Sequence, residues 1–348
     1  VPARRAEGGG VLISAIVPSY NHARYLPQAL DALLAQSRPA DEIIIVDDAS
    51  TDESHDVMSA YQARHPNIIL LFNDHNEGAL RTLQRGLDAS QGRYVYFAAA
   101  DDYVLPGLFD KAVAMLEACP QSGLFCAETR LVDGETGAAV GVRPIVRPLR
   151  HAGYLDPDGV ERLLRRADHF IHTGSSVFRR AAVMEKGGFD PALGSFADGI
   201  LARRIALGHG LCFSPSEAAA WVIHTSGISR ATALDRESAR AALEKIPAML
   251  AATPDIPGWY PAAFARRWRF ATARLALEAH PVDRWLLVDM AGTSGADRSV
   301  LAVLSPLLPF RIGRLATLGW LSLRLRPFRL RDVMRTALDR ARERRGSR

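Results

Sequence analysis

Apolar residues in the first third of the chain fall into short unbroken runs, each followed by a segment in which they recur at helical spacing. The runs at 11–17, 42–46, 68–72 and 94–98 read as buried strands, being short and rich in β-branched and aromatic residues. Leu26, Ala29, Leu30, Leu33 and Leu34 predict the inner face of a helix, as do Val57, Met58 and Tyr61, then Leu80, Leu83 and Leu87. A fourth such face holds Leu108, Phe109, Ala112, Val113 and Leu116, and a further strand is expected over 123–127. Pro27 falls in an opening turn, where its missing N–H costs nothing. Ser50 or Thr51 reads as an N-cap, with Asp52 and Glu53 in the first turn behind it, and Gly92 closes the third helix.

Strand and helix alternating with short connections is the pattern of a largely parallel sheet covered by helices, an α/β fold. Such sheets bind ligands at the carboxyl ends of their strands. Those ends carry polar residues here: Ser19 and Asn21, Asp47-Asp48, Asn76 and Gly78, and Asp101-Asp102. Adjacent carboxylates repel and raise one another's pKa, so each pair calls for a cation or a set of donors. The bland alternative for Asp101-Asp102 is a solvated turn that caps the following helix.

Five segments in this order and spacing resemble the family 2 glycosyltransferases. They are Ile16-Val-Pro-Ser-Tyr-Asn21, Ile44-Ile-Val-Asp-Asp-Ala-Ser-Thr-Asp52, Asn76-Glu-Gly78, Gly92-Arg-Tyr-Val-Tyr-Phe97 and Ala100-Asp-Asp102. The resemblance runs over about 11–230 and implies a GT-A, Rossmann-like fold, with a nucleotide-sugar half at 11–127 and an acceptor half at 128–230. It implies an inverting transfer of sugar from a nucleotide-diphosphate donor to a hydroxyl of a glycan or lipid-linked acceptor, as in surface polysaccharide synthesis. UDP is the family's commonest donor nucleotide. Pro18, Ser19, Tyr20, Asn21, Asp47, Asp48, Asn76, Gly78, Arg81 and Asp101 would then line the donor site. Asp102 and His224 would hold Mg²⁺ or Mn²⁺, since a departing diphosphate needs charge compensation and hard oxygen ligands suit those cations.

Ala99 stands where many relatives carry the first acid of an Asp-x-Asp pair, which bears on the metal geometry. His172-Thr-Gly-Ser-Ser176-Val-Phe-Arg-Arg180 and Gly187-Gly-Phe-Asp190 resemble the segments below the acceptor site. Asp198 sits where the family places its catalytic base, preceded by Ala197 instead of the usual Glu; its other reading is a cap for the helix running on to Leu207. Trp221-Val-Ile-His224-Thr-Ser-Gly-Ile-Ser229 resembles the last family motif. A nucleotidyltransferase would need a phosphate-binding Gly/Arg/Lys loop after the first strand, and Val17-Pro-Ser-Tyr-Asn-His-Ala23 is not one. A degenerate GT-A protein that binds nucleotide or a partner without turnover is the remaining alternative.

Composition adds compartment and surface. Hydrophobic residues make up 48% and charged ones 23%, as in a water-soluble domain. The three cysteines, Cys119, Cys126 and Cys212, have no metal-like spacing and suit a reducing cytoplasm. The opening ten residues read as a flexible stretch without the apolar run of a signal peptide, which also points to the cytoplasm. The net charge of +5 is uneven: from Arg311 onward twelve arginines face three acids. Residues 231–298 read as a helical appendage, and 299–348 as a basic amphipathic tail. Leucines and Trp320 beside arginines suit the anionic inner leaflet of a membrane, with peripheral attachment. Packing of the tail against the body is the competing reading. Nucleic acid is not an expected partner, because no nucleic-acid motif accompanies the charge.

Overall fold

A computed structural model describes residues 12–224 and 228–346; the opening stretch 1–10, the end of the tail, and part of the last motif lie outside these. The chain divides into two compact units. The first consists of Val1–Leu163, His169–His224 and Thr336–Arg348, and the second of Leu164–Asp168 and Thr225–Arg335.

The first unit is built in chain order from β1 (Ile13–Ser19), α1 (Leu26–Leu34), β2 (Glu42–Asp47), α2 (Ser54–Gln62), β3 (Ile68–Phe72), α3 (Ala79–Ala89) and β4 (Tyr94–Phe97). There follow β5 (Tyr103–Val104), α4 (Leu108–Ala118), β6 (Leu124–Asp133), β7 (Ala139–Arg143), β8 (Gly153–Leu155) and α5 (Pro157–Leu164). A 3-10 turn at Thr173–Ser175 leads into β9 (Ser176–Arg179), α6 (Arg180–Glu185), α7 (Ala197–His209) and β10 (Leu211–Ile223). One sheet runs in the order β3-β2-β1-β4-β9-β6-β10-β5, with β7 beside β6 and β8 beside β10. β3, β2, β1 and β4 are mutually parallel, whereas β9 is antiparallel to both its neighbours, so the sheet is mixed.

β1, β2 and β4 are buried on both faces, which is why they read as continuous apolar runs, whereas β3 at the sheet edge leaves Ile69 and Phe72 exposed. Ile13, Ala15, Val17, Ile43 and Ile45 pack with Leu26, Leu30 and Leu33 of α1 and Phe109 of α4 on one side. On the other, a Cβ at Gly86 of α3 would collide with the Ile16 side chain, so only glycine lets α3 come so close. Gly92 is equally constrained, since its Cβ would lie 2.6 Å from the Ser14 backbone nitrogen and 2.7 Å from the Tyr94 carbonyl oxygen. Cys126 and Cys212 are free and buried, small members of the interior.

Two local expectations fail: α3 ends at Ala89 with Ser90 as its C-cap, so Gly92 does not close it, and the cap expected before α2 is absent. α2 begins at Ser54 with Glu53 at its N-cap and no side-chain cap, so neither Ser50 nor Thr51 caps it. The Asn21 amide donates to Ser50 Oγ (2.9 Å) and the Thr51 amide to Asn21 Oδ1 (2.8 Å). A longer-range partner outcompetes the local cap and joins the loops after β1 and β2.

The second unit is helical: α8 (Ile228–Leu234), α9 (Arg236–Ala252), α10 (Tyr260–Glu278), α11 (Arg284–Ala291), α12 (Gly295–Leu304), α13 (Arg311–Leu325) and the start of α14 (Leu330–Gly346). Its core gathers Phe270, Ala273 and Leu277 of α10 with Leu286 and Met290 of α11 and Leu321 and Leu325 of α13. Buried Asp168 accepts from the Tyr260 hydroxyl (2.9 Å) and from Arg267 (3.3 Å), whose guanidinium also reaches the Leu164 carbonyl. The tail is therefore shared out: α12 and α13 pack in this unit, and the later turns of α14 belong to the first.

There Arg147 pairs with buried Glu128 (2.8 Å) and with Glu343 (2.7 Å), and Arg340 of α14 also reaches Glu128 (3.1 Å). The Arg147 amide donates to Thr336 Oγ1 (3.1 Å). Burial alone would lower the Arg147 pKa, but Glu343 and Glu128 outweigh it and raise it.

Candidate active site

The site grows from the carboxyl ends of β1 and β2, where Ser19 and Asp47 are in register across the parallel pair. Both are buried, and each keeps a polar atom without a partner among the described residues: Ser19 Oγ and Asp47 Oδ1. Buried polar atoms are nearly always satisfied, so two orphans at paired strand ends mark a place where a ligand supplies the missing bonds. The other Asp47 oxygen, Oδ2, accepts from the Ser50 amide (2.9 Å) and meets His55 Nε2 (2.8 Å). Tyr20 stands beside them, 43% exposed, and Pro18 is half-buried. Asn21 and Ala49 both hold positive φ, +54° and +62°. Asparagine tolerates that conformation, but for Ala49 it costs about 1 kcal/mol.

Asp48 is employed differently. Its oxygens accept from Asn73 Nδ2 (2.7 Å), the Glu77 amide (2.8 Å) and the Gly78 amide (2.8 Å). Burial alone would raise its pKa, and these donors more than compensate, holding the carboxyl below its ordinary value. Asp48 thus shapes the 73–78 loop, and its contribution to any ligand is made through that loop. Asn76 Oδ1 accepts from the Gly78 amide (3.1 Å), and Gly78, at φ +88°, opens α3. Arg81 is exposed in the first turn of that helix, whereas Arg85 folds back onto the Phe72 carbonyl (2.8 Å).

After β4, Asp101 and Asp102 are both half-buried. Asp102 Oδ1 accepts from the Val222 amide of β10 (2.8 Å). Burial and the neighbouring Asp101 charge nonetheless push its carboxyl up to about 8, so the site penalises its negative charge. His224 follows at the end of β10, its ring 5.2 Å from that of Tyr25 at the entry to α1, and its Nε2 is buried without a partner among the described residues. Among the described residues no three His, Cys, Asp or Glu side chains are grouped to hold a metal ion. A strained carboxylate and an orphaned imidazole nitrogen, both fixed by the end of β10, nevertheless fit a divalent cation that takes its other ligands from phosphate and water.

Asp198 lies in the first turn of α7, but Phe196 is the N-cap and no side chain caps the helix. Asp198 Oδ2 instead accepts from Thr173 Oγ1 (2.8 Å). The 172–174 segment carries Asp198 on one side, and on the other a Cβ added at Gly174 would lie 4.0 Å from Asp102 Oδ2. His172 stacks on Trp221 with centroids 4.9 Å apart. Burial drives its imidazole down to about 4, the Asp198 charge opposing and the Arg143 charge assisting. Its Nδ1 lies 3.3 Å from Thr129 Oγ1. The loops after β1, β2, β3 and β4, the 172–174 segment, Asp198 and His224 are therefore joined contact by contact within one unit.

His55, Tyr25 and Thr173 escaped the reading of the sequence. His55 sits at an ordinary helical position and Tyr25 at the N-cap of α1, while Thr173 lay within a quoted segment in which nothing singled it out as the partner of Asp198, so no periodicity marked them.

Residues 14–187 match the family model described as Glycosyl transferase family 2. TuaG of Bacillus subtilis, named for teichuronic acid biosynthesis, is 40% identical over 91 residues, covering 26% of this chain and 36% of that protein. YibD of Escherichia coli K12, an uncharacterised glycosyltransferase, is 32% identical over 181 residues, half of each protein. The chain thus spans a third to a half of the length of these curated relatives. Among solved structures it is similar to residues 1–349 of Staphylococcus aureus TarS in complex with UDP, with TM-score 0.57, 18% identity and coverage of 90% of this chain and 91% of that one. It is also similar to the mannosyltransferase PcManGT of Pyrobaculum calidifontis in complex with GDP-Man and Mn²⁺, with TM-score 0.57, 21% identity and coverage of 93% and 89%. At such identities the structural likenesses establish the fold, which is GT-A. With its motifs in register and half of its length matched by the family model, the chain belongs to glycosyl transferase family 2.

Proposed function

We propose that the chain is an inverting glycosyltransferase that moves a sugar from a nucleoside-diphosphate donor, UDP-linked in the first instance, to a hydroxyl of a glycan or lipid-linked acceptor in polysaccharide synthesis. The observation that carries the reading is the pair of orphaned buried atoms, Ser19 Oγ and Asp47 Oδ1, at the strand ends where GT-A folds open their donor crevice. Asp47 Oδ1 can accept an N–H from a base, the Ser19 hydroxyl can complete the same edge, and the Tyr20 ring can stack on the base face. Arg81 offers its guanidinium to phosphate.

Asp102 and His224 are the residues that would hold Mg²⁺ or Mn²⁺, which neutralises the departing diphosphate when bound. Asp198 Oδ1, the oxygen not engaged by Thr173, is the acceptor for the hydroxyl proton as the nucleophile attacks the anomeric carbon from the face opposite the diphosphate, giving inversion. TarS with UDP and PcManGT with GDP-Man and Mn²⁺ support a nucleotide ligand for this fold. Calorimetric titration of UDP, GDP and dTDP, each with and without Mn²⁺, tests the donor site in the wild type and Asp102→Ala. Metal-dependent binding of one nucleotide, weakened in the variant, is expected. No binding of any nucleotide by folded protein would replace this reading with that of a degenerate family member.

A further inference from the structure

α13 has two faces of different fate. Gly313, Thr317, Leu321 and Leu325, at spacing four, are buried. Gly313 packs so tightly against the Leu307 backbone that a Cβ would collide with it. The opposite face carries Ile312, Leu315 and Leu323, which are 74%, 57% and 77% exposed. Val303 of α12 and Phe310 before α13 are 74% and 62% exposed. A run of aliphatic and aromatic side chains turned to water along successive helices is uncommon on a protein without a partner for it.

The charge around this face is of one sign. From Arg298 to Arg331 the chain has seven arginines and no acidic residue. Asp297, just before, is buried and bound by Arg324 (2.7 and 3.1 Å), which holds its pKa far below the ordinary range. Among the described residues no helix is long and apolar enough to cross a membrane. A helix that cannot span, with an apolar stripe flanked by cations alone, has the composition of one that lies in a headgroup layer.

We propose that the outer face of α12 and α13 is a docking surface for an anionic lipid bilayer. Aliphatic side chains enter the interface while arginines pair with lipid phosphates. The far end of the chain contributes less than its charge suggests, because Arg340 is engaged by Glu128. This attachment does not depend on the donor-site reading: a protein without transferase activity would still show it.

The test is co-sedimentation of the full chain with phosphatidylcholine vesicles and with mixed phosphatidylcholine–phosphatidylglycerol vesicles, at low and high salt. The double variant Ile312→Glu/Leu323→Glu, both positions exposed, is compared by melting temperature and binding. The wild type should favour the anionic vesicles and lose binding as salt rises. The variant should keep its melting temperature and bind at least about tenfold more weakly. Equal or absent wild-type binding to the two vesicle types would overturn the proposal whether or not the variant folds. Undiminished binding by a folded variant would also overturn it. So would a wild-type dimer that the variant splits, without vesicle binding, since the face would then join two copies of the chain.

Discussion

Asp47 and Asp48 are adjacent, buried and differently occupied, and their substitutions should part accordingly. Asp48→Ala strands the donors of Asn73, Glu77 and Gly78 and should destabilise the protein by about 3 kcal/mol, read as a lower denaturation midpoint. Because the folded pKa of Asp48 lies below its ordinary 3.8, its stabilisation is present above that value and lost as pH falls through the folded pKa. Ser19→Ala removes a hydroxyl without a hydrogen-bond partner among the described residues, so stability should change by less than about 0.5 kcal/mol while nucleotide affinity falls about three- to tenfold. Equal effects on both would assign Ser19 to the fold instead. His172 sets an acid limit. Its pKa falls from 6.5 to about 4 on folding, so the unfolded chain binds the extra proton between those values. Stability should be full above about pH 6.5 and decline toward pH 4 by roughly 3 kcal/mol, and His172→Gln should flatten that slope in melts run across the range.

Among the contacts that dock α14, buried Glu128 is the carboxylate shared by Arg147 and Arg340, beside the Arg147–Glu343 pair and the Arg147–Thr336 hydrogen bond. Glu128→Ala leaves Arg147 and Arg340 without their shared counter-ion and should cost about 3 kcal/mol, with faster hydrogen exchange in α14. A loss below about 1 kcal/mol would show that the remaining contacts of α14, Arg147 with Glu343 among them, hold the segment. None of this could be read from periodicity, because Glu128, Arg147 and Arg340 are far apart in the chain. Local patterns fared better where partners are near. The strands around Ile16, Ile44 and Tyr96 were visible because both their faces are buried, the edge strand around Leu70 because it is apolar throughout, and α1, α3 and α4 because their inner faces repeat. Beyond Ala127 the strands turn antiparallel or irregular, and the pattern thins. The N-cap expected at Ser50 or Thr51 failed for a related reason: Asn21, some thirty positions away, claims both.

Over the whole molecule the +9 carried from Arg311 onward is not one feature. Part is consumed by ion pairs such as Arg340 with Glu128 and Arg324 with Asp297, and part surrounds an exposed apolar face. The strand-end acids were legible because a parallel sheet collects its loops at one edge, but their division of labour depends on which oxygens the backbone takes. The proposed sugar transfer turns on Asp198 as its base. NMR of the anomeric configuration, following the slow release of sugar from a donor built on the nucleotide that the titration favours, decides this in the wild type and Asp198→Asn. An α-linked donor should give β-sugar first, with a rate at least about a hundredfold lower in the variant and unchanged nucleotide affinity. An α-product, or an undiminished rate in Asp198→Asn, would contradict it.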